Sequence, residues 1–188
     1  ILGHFLHLFH NFAPNFNSNA MATVTGKGEK MHTLGELPAT GSQAPDFELT
    51  RIDLKPAFLA DFHGRKVLMN IFPSLDTSTC AASVRQFNAE AAELENTVVL
   101  CISRDLPFAQ RRFCVAEGIA NVIMLSDFRD GNFGKAYQLE FTDSAMRGLL
   151  SRSVVVLDER GKVLYAEQVA DTGSEPNYKA ALEALLHD

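Results

Sequence analysis

Val67-Leu68-Met69-Asn70-Ile71-Phe72, followed at once by Pro73-Ser74-Leu75-Asp76-Thr77-Ser78-Thr79-Cys80, is the stretch that decides the fold. The first six residues are apolar except for Asn70, which predicts a strand buried on both faces. Pro73 punctuates its end, adding rigidity and removing one N–H donor. Beyond Cys80, Val84, Phe87, Ala91 and Leu94 recur at helical spacing, and Glu95-Asn96 closes the pattern. The layout is strand, loop, and a cysteine at a helix start. Backbone N–H groups in a first helical turn lack intrahelical partners and the macrodipole is positive there, so Cys80 stands where a thiolate, the nucleophilic form, is stabilised. Thr77, three residues earlier, is close enough for its hydroxyl to point at whatever the sulfur attacks.

Working outward, Thr23-Val24-Thr25 and Met31-His32-Thr33 read as two extended pieces around Gly26-Lys27-Gly28, an N-terminal β-hairpin. Phe47-Glu48-Leu49-Thr50 is another extended piece, and Asp61-Phe62-His63-Gly64 ends a short connection into the 67–72 strand. Residues 97–102 form a second buried strand. Pro107, behind Ser103 and Asp105 as candidate caps, starts a helix that carries Cys114, runs to Glu117 and stops at Gly118. Residues 122–125 are a third strand, 131–137 a short helix and 153–157 a fourth strand. Asp158-Glu159-Arg160-Gly161 turns into an extended run over 163–168, and 178–186 form a closing amphipathic helix. Strands alternating with helices, then a hairpin and a final helix, predict an α/β, thioredoxin-like fold: a mixed central sheet flanked by helices.

The 188 residues carry a net charge of −6 with both signs interspersed and no basic run, which argues against nucleic acid or a membrane surface as partner. Three cysteines are too few for a disulfide framework and leave one unpaired if two bridge. That usage suits a reducing, cytoplasmic compartment with a catalytic bridge, a periplasmic setting remaining open. Ser18-Asn19-Ala20 directly before Met21 looks like the scar of a cleavable tag, so residues 1–20 read as an expression-tag segment and 21–188 as one domain. A signal peptide is the rival reading, but the basic n-region is missing, and His4, His7 and His10 break the apolar stretch. His32, His63 and His187 lack metal-site spacing, and no Cys-X-X-Cys is present, which disfavours zinc and an ordinary thioredoxin active site.

Pro73, Thr77 and Cys80 stand in the spacing of the peroxiredoxin motif, and the longer strings resemble its thiol peroxidase branch, the atypical two-cysteine class. Those strings include Asn70-Ile71-Phe72-Pro73, Cys80-Ala81-Ala82-Ser83-Val84-Arg85, Asn96-Thr97-Val98-Val99-Leu100-Cys101-Ile102-Ser103 and Arg112-Phe113-Cys114. The resemblance runs from about residue 33 to residue 187. It implies a peroxidase in which Cys80 reduces hydrogen peroxide or an organic hydroperoxide and becomes a sulfenic acid. Cys114, after Arg112-Phe113, would then resolve it as an intrachain disulfide. By the same resemblance thioredoxin is the reductant, the assembly is a homodimer, and no metal, haem, flavin or selenium is called for.

The branch places its active-site arginine just before a Val-Val-Val strand, here Arg152, with Arg147 and Arg85 as competitors. Thr79 departs from the branch, which more often has an aliphatic residue there, a change expected to alter pocket polarity but not mechanism. Cys101, inside a strand, reads as packing. A bridge needs Cα atoms within roughly 7 Å, so two sulfurs starting on separate helices imply local unwinding during turnover. A peroxide sensor that relays its disulfide to a partner protein is the second reading, and an inert structural module is a third that Thr77 and Arg152 argue against.

Overall fold

The computed structural model describes residues 21–186; the expected tag segment and His187 lie outside the described residues. Lys27 and Gly28 both take positive φ, 51° and 83°, as a two-residue hairpin turn requires. β1 (Thr23–Gly26) and β2 (Glu29–His32) therefore fold back antiparallel on each other. Next come β3 (Glu48–Arg51) and β4 (Pro56–Phe58), then a single 3-10 turn at Leu59–Phe62. β4 and this turn occupy what the sequence presents as a plain connection. Three residues beginning with proline show no readable alternation, and β4 exists by its register on β3 at the sheet edge.

The remaining elements alternate: β5 (Lys66–Ile71), α1 (Ser78–Ala91), β6 (Thr97–Ser103), α2 (Pro107–Glu117), β7 (Ile123–Ser126), α3 (Asn132–Ala136), β8 (Ser153–Leu157), β9 (Val163–Gln168) and α4 (Tyr178–Ala184). Seven strands form one mixed sheet in the order β4-β3-β7-β6-β5-β8-β9, with β7, β6 and β5 parallel and the other pairings antiparallel. This is the expected thioredoxin-like α/β architecture with its N-terminal hairpin.

β5 is buried on both faces, and its side chains divide by alternation. Val67, Met69 and Ile71 join Phe47, Phe133 and Tyr137 on one side, while Leu68 joins Phe87, Val99, Val154 and Val156 on the other. A third cluster on the α1 side holds Phe72, Leu75, Cys80, Val84, Cys101 and Met124.

Helix ends differ in detail from the sequence reading: α3 and α4 span Asn132–Ala136 and Tyr178–Ala184, shorter than the expected 131–137 and 178–186. α1 ends at Ala91, short of Leu94, because the Ala92 and Glu93 N–H groups bond back three residues, to Ala89 and Glu90 carbonyls. Neither Ser103 nor Asp105 caps α2: extended Leu106 stands at the N-cap, with Pro107 opening the first turn. The C-terminal stop is as expected, Gly118 taking φ 66° and donating its N–H to the Cys114 carbonyl.

Register brings the ends of distant segments to one edge of the sheet. β5 and β8 pair antiparallel with Ile71 opposite Ser153, so the loop leaving β5 begins beside Arg152. β8 and β9 pair with Ser153 opposite Gln168, so the chain leaving β9 exits at the same edge. β6 runs parallel to β5 and delivers Asp105 there as well.

Candidate active site

The loop between β5 and α1 is held by a carboxylate that the sequence reading took for a helix cap. Asp105 accepts from Ser74 Oγ at 2.8 Å, from the Leu75 N–H at 2.8 Å and from Ser103 Oγ at 2.7 Å. Pro73 is buried at the head of this loop. Its fixed φ and Asp105's three bonds set where the chain enters α1.

Thr77 is the N-cap of α1, with extended backbone at φ −98° and ψ 142°. Its Oγ1 accepts the Cys80 N–H at 3.4 Å, so one orphan donor of the first turn is satisfied. The same hydroxyl lies 2.7 Å from Cys80 Sγ, shorter than its 3.3 Å approach to the Ser74 carbonyl, and so directs its proton at sulfur.

Arg152 meets the sulfur from the other side, its Nη2 3.5 Å from Cys80 Sγ and 3.1 Å from the Thr172 carbonyl. Cys80 is 0 % exposed and Arg152 2 %. Cys80 packs in one apolar cluster with Phe72, Leu75 and Val84. Arg152 Nε and Nη1 are buried and have no partner among the described residues, an arrangement that buried donors adopt rarely.

The competing arginines stand elsewhere. Arg85 binds Glu117 at 2.8 Å on the surface and holds that carboxyl below the usual range, while Arg147 is exposed in the loop before β8.

Cys114 is half-buried on α2 and, with Phe113, packs on the cluster that contains Cys80 and Cys101; burial pushes its thiol up. All three cysteines are free thiols in this state. Cys101 is fully enclosed in β6, with Asn70 Nδ2 3.8 Å from its sulfur, and burial pushes its thiol up to about 12. Such enclosure disfavours the thiolate form. His32 is paired with Asp143 at 2.6 Å, which draws that carboxyl down, and His63 is exposed. Among the described residues no group of three His, Cys, Asp or Glu side chains is gathered for a metal ion.

Residues 39–182 match the Redoxin family. Over 165 residues, 88% of this chain and 99% of its relative, the sequence is 51% identical to the thiol peroxidase of Corynebacterium glutamicum. The chain belongs to the thiol peroxidase family. The thiol peroxidase of Mycobacterium tuberculosis is 52% identical over 88% of this chain and 99% of its own. Among solved structures, the peroxiredoxin-like protein from Aquifex aeolicus matches with a TM-score of 0.83 at 33% identity, covering 89% of this chain and 98% of that one. A thiol peroxidase from Chromobacterium violaceum shares the fold at a TM-score of 0.80 and 24% identity, covering 87% and 94%. Family and fold together make this a thiol-dependent peroxidase.

The sequence reading gave neither Asp105 nor Thr172 its part in the site. Asp105 had a signal, the Ser103-x-Asp105 spacing, which fits a local side-chain bond as well as a cap. Thr172 had none, because it acts through its backbone carbonyl.

Proposed function

We propose that Cys80 is the peroxide-reactive thiol and that Thr77 and Arg152 orient and stabilise what it attacks. The observation that carries this is the convergence on one sulfur of Thr77 Oγ1 at 2.7 Å and Arg152 Nη2 at 3.5 Å, with two more Arg152 donors left unpaired beside it. The thiolate attacks one peroxide oxygen in line with the O–O bond, that bond breaks, and the departing oxygen leaves as water or an alcohol after taking a proton. Fixed donors favour this step because the charge growing on the departing oxygen meets dipoles that need no reorganisation. The sulfur is left as a sulfenic acid.

Cys114 then condenses with that sulfenic acid, releasing water and forming an intrachain disulfide. Its place in the same apolar cluster as Cys80 supports the role, and local unwinding of α1, α2 or both brings the sulfurs together. A dithiol reductant, thioredoxin on the family reading, exchanges with the disulfide and returns both thiols. Residues 21–188 act as one domain in this scheme, in a cytoplasmic setting. No helix among the described residues is long and apolar enough to cross a membrane. Exposed Leu106, Phe108 and Val115 around α2 support a homodimer as the working unit.

Peroxide-dependent oxidation of NADPH in the presence of thioredoxin and its reductase tests the assignment. Wild type consumes peroxide; Cys80→Ser retains its fold and consumes none. Substantial turnover by Cys80→Ser would overturn the reading.

A further inference from the structure

Arg152 ends a long side chain with many rotamers, and something has to hold its guanidinium against the sulfur. Among the described residues its five donors find one fixed oxygen, the Thr172 carbonyl at 3.1 Å. That carbonyl belongs to residues 169–174, a segment that leaves β9 without regular structure of its own. Its base is tied to Arg152 itself, since the Val169 N–H bonds the Arg152 carbonyl at 2.9 Å. Its far part is tied to the N-terminal hairpin.

Thr25 makes that second tie almost alone. Its N–H bonds the Ala170 carbonyl at 2.8 Å, and its carbonyl accepts the Thr172 N–H at 2.8 Å, so it brackets Asp171 as a strand residue would. Its hydroxyl lies 3.1 Å from both the Ala170 carbonyl and Asp171 Oδ2. Asp171 Oδ1 in turn accepts the Gly173 N–H at 2.7 Å and shapes the turn that presents the Thr172 carbonyl. Gly26 lets the hairpin come this close: a Cβ there would stand 2.5 Å from Thr172 Oγ1 and 2.8 Å from Met31 Cε. From the other side Thr79 Oγ1 donates to the Gly173 carbonyl at 3.3 Å, so the residue that departs from the family pattern joins the segment to α1.

We propose that the N-terminal hairpin is a positioning element of the active site: Thr25 and Gly26 fix residues 170–174, whose Thr172 carbonyl sets the Arg152 guanidinium against Cys80. The inference rests on the assignment of Cys80 and Arg152 proposed above. It makes Thr25, Gly26, Asp171 and Thr172 positioning residues that touch neither sulfur nor peroxide. A reacting group displaced by about 1 Å costs on the order of a hundredfold in rate, so a partial loosening of Arg152 is expected to cost roughly tenfold.

The test is a double-mutant cycle on the second-order rate of Cys80 oxidation by hydrogen peroxide, read by rapid quench and mass spectrometry. Thr25→Val removes the hydroxyl bonds and Gly26→Val pushes Thr172 aside; circular dichroism and thermal melting monitor the sheet. Both variants should slow oxidation about tenfold, Thr25→Ser should restore it, and neither should slow an Arg152→Met protein further by more than about twofold. A purely structural hairpin would give no slowing, or equal slowing in both backgrounds, and either result overturns the proposal. Arg152→Met alone separates the two failures. An unchanged rate there removes Arg152 from the site assignment, whereas a slow Arg152→Met beside a fast Gly26→Val removes only the role of the hairpin.

Discussion

Thr77 uses one oxygen twice, accepting the Cys80 N–H at 3.4 Å and facing Cys80 Sγ at 2.7 Å. Holding the helix end and aiming at the sulfur therefore cannot be separated by removing the hydroxyl. Thr77→Val should lose about 1 kcal/mol of stability as a broken cap and slow peroxide attack by roughly a hundredfold as a lost donor. Thr77→Ser should recover most of both. Urea denaturation and rapid-quench oxidation measure the two effects, and a Thr77→Val protein that reacts at the wild-type rate would exclude the donor role. Cys80 itself was legible in the sequence because a motif of side chains at fixed spacing surrounds it. Its complete enclosure was not, since Phe72, Leu75 and Val84 join it in one cluster only in three dimensions.

At the scale of elements, α1 is unevenly anchored. Its second half buries Phe87 completely, the ring meeting Tyr178 of α4 edge-on at 5.1 Å, while its first turn buries only the smaller Cys80 and Ala81 and is fastened further by the Thr77 and Thr79 hydroxyls. Phe87→Ala should cost about 3–5 kcal/mol in urea unfolding, because a large enclosed ring leaves a cavity. On the proposed route one or both helices unwind locally, so one equivalent of peroxide should raise hydrogen exchange at residues 78–81, in α2 or in both, while amides near Phe87 stay protected. In Cys114→Ser the sulfenic acid should persist and take up a trapping reagent, with no disulfide on peptide mapping. A wild-type bridge that includes Cys101 would exclude the intrachain pairing. The strands and helices around this region were legible because their apolar periods are long and regular. β4 was not, since three edge residues led by Pro56 carry no period, and the 169–174 segment was not, since its bonds run through carbonyls of Ala170, Thr172 and Gly173 that any residue supplies.

Across the whole molecule, the burial of protonated thiol and phenol groups makes stability fall on the alkaline side. Cys101 has an ordinary value of 9.0 and is pushed up to about 12 by its enclosure in β6. Below the ordinary value both folded and unfolded chains hold the proton; above it the unfolded chain releases it and the folded chain does not. Stability therefore drops as pH rises through the window between about 9 and 12, by up to ~1.4 kcal/mol per pH unit from this group. Tyr165, pushed up to about 12, and Tyr137 and Tyr178, pushed up further by burial, act in the same direction above their ordinary value of 10.0. Urea midpoints across this range should fall steeply for wild type and less steeply for Cys101→Ala; equal slopes would exclude Cys101 as a source of the loss. At neutral pH the same substitution should leave peroxide turnover nearly unchanged.

The contact between Thr25 and the segment around Thr172 joins residues far apart in the chain, and that fixes when the pocket can exist during synthesis. A ribosome delivers residues in order, so Cys80 leaves the exit tunnel well before Arg152, and Arg152 before the carbonyl that holds it. A nascent chain thus carries its sulfur without the guanidinium beside it from residue 80 until residues 152 and 172 have followed. The nucleophile is made before its equipment, and peroxide in the surroundings meets a cysteine without its guanidinium until residue 172 has been added.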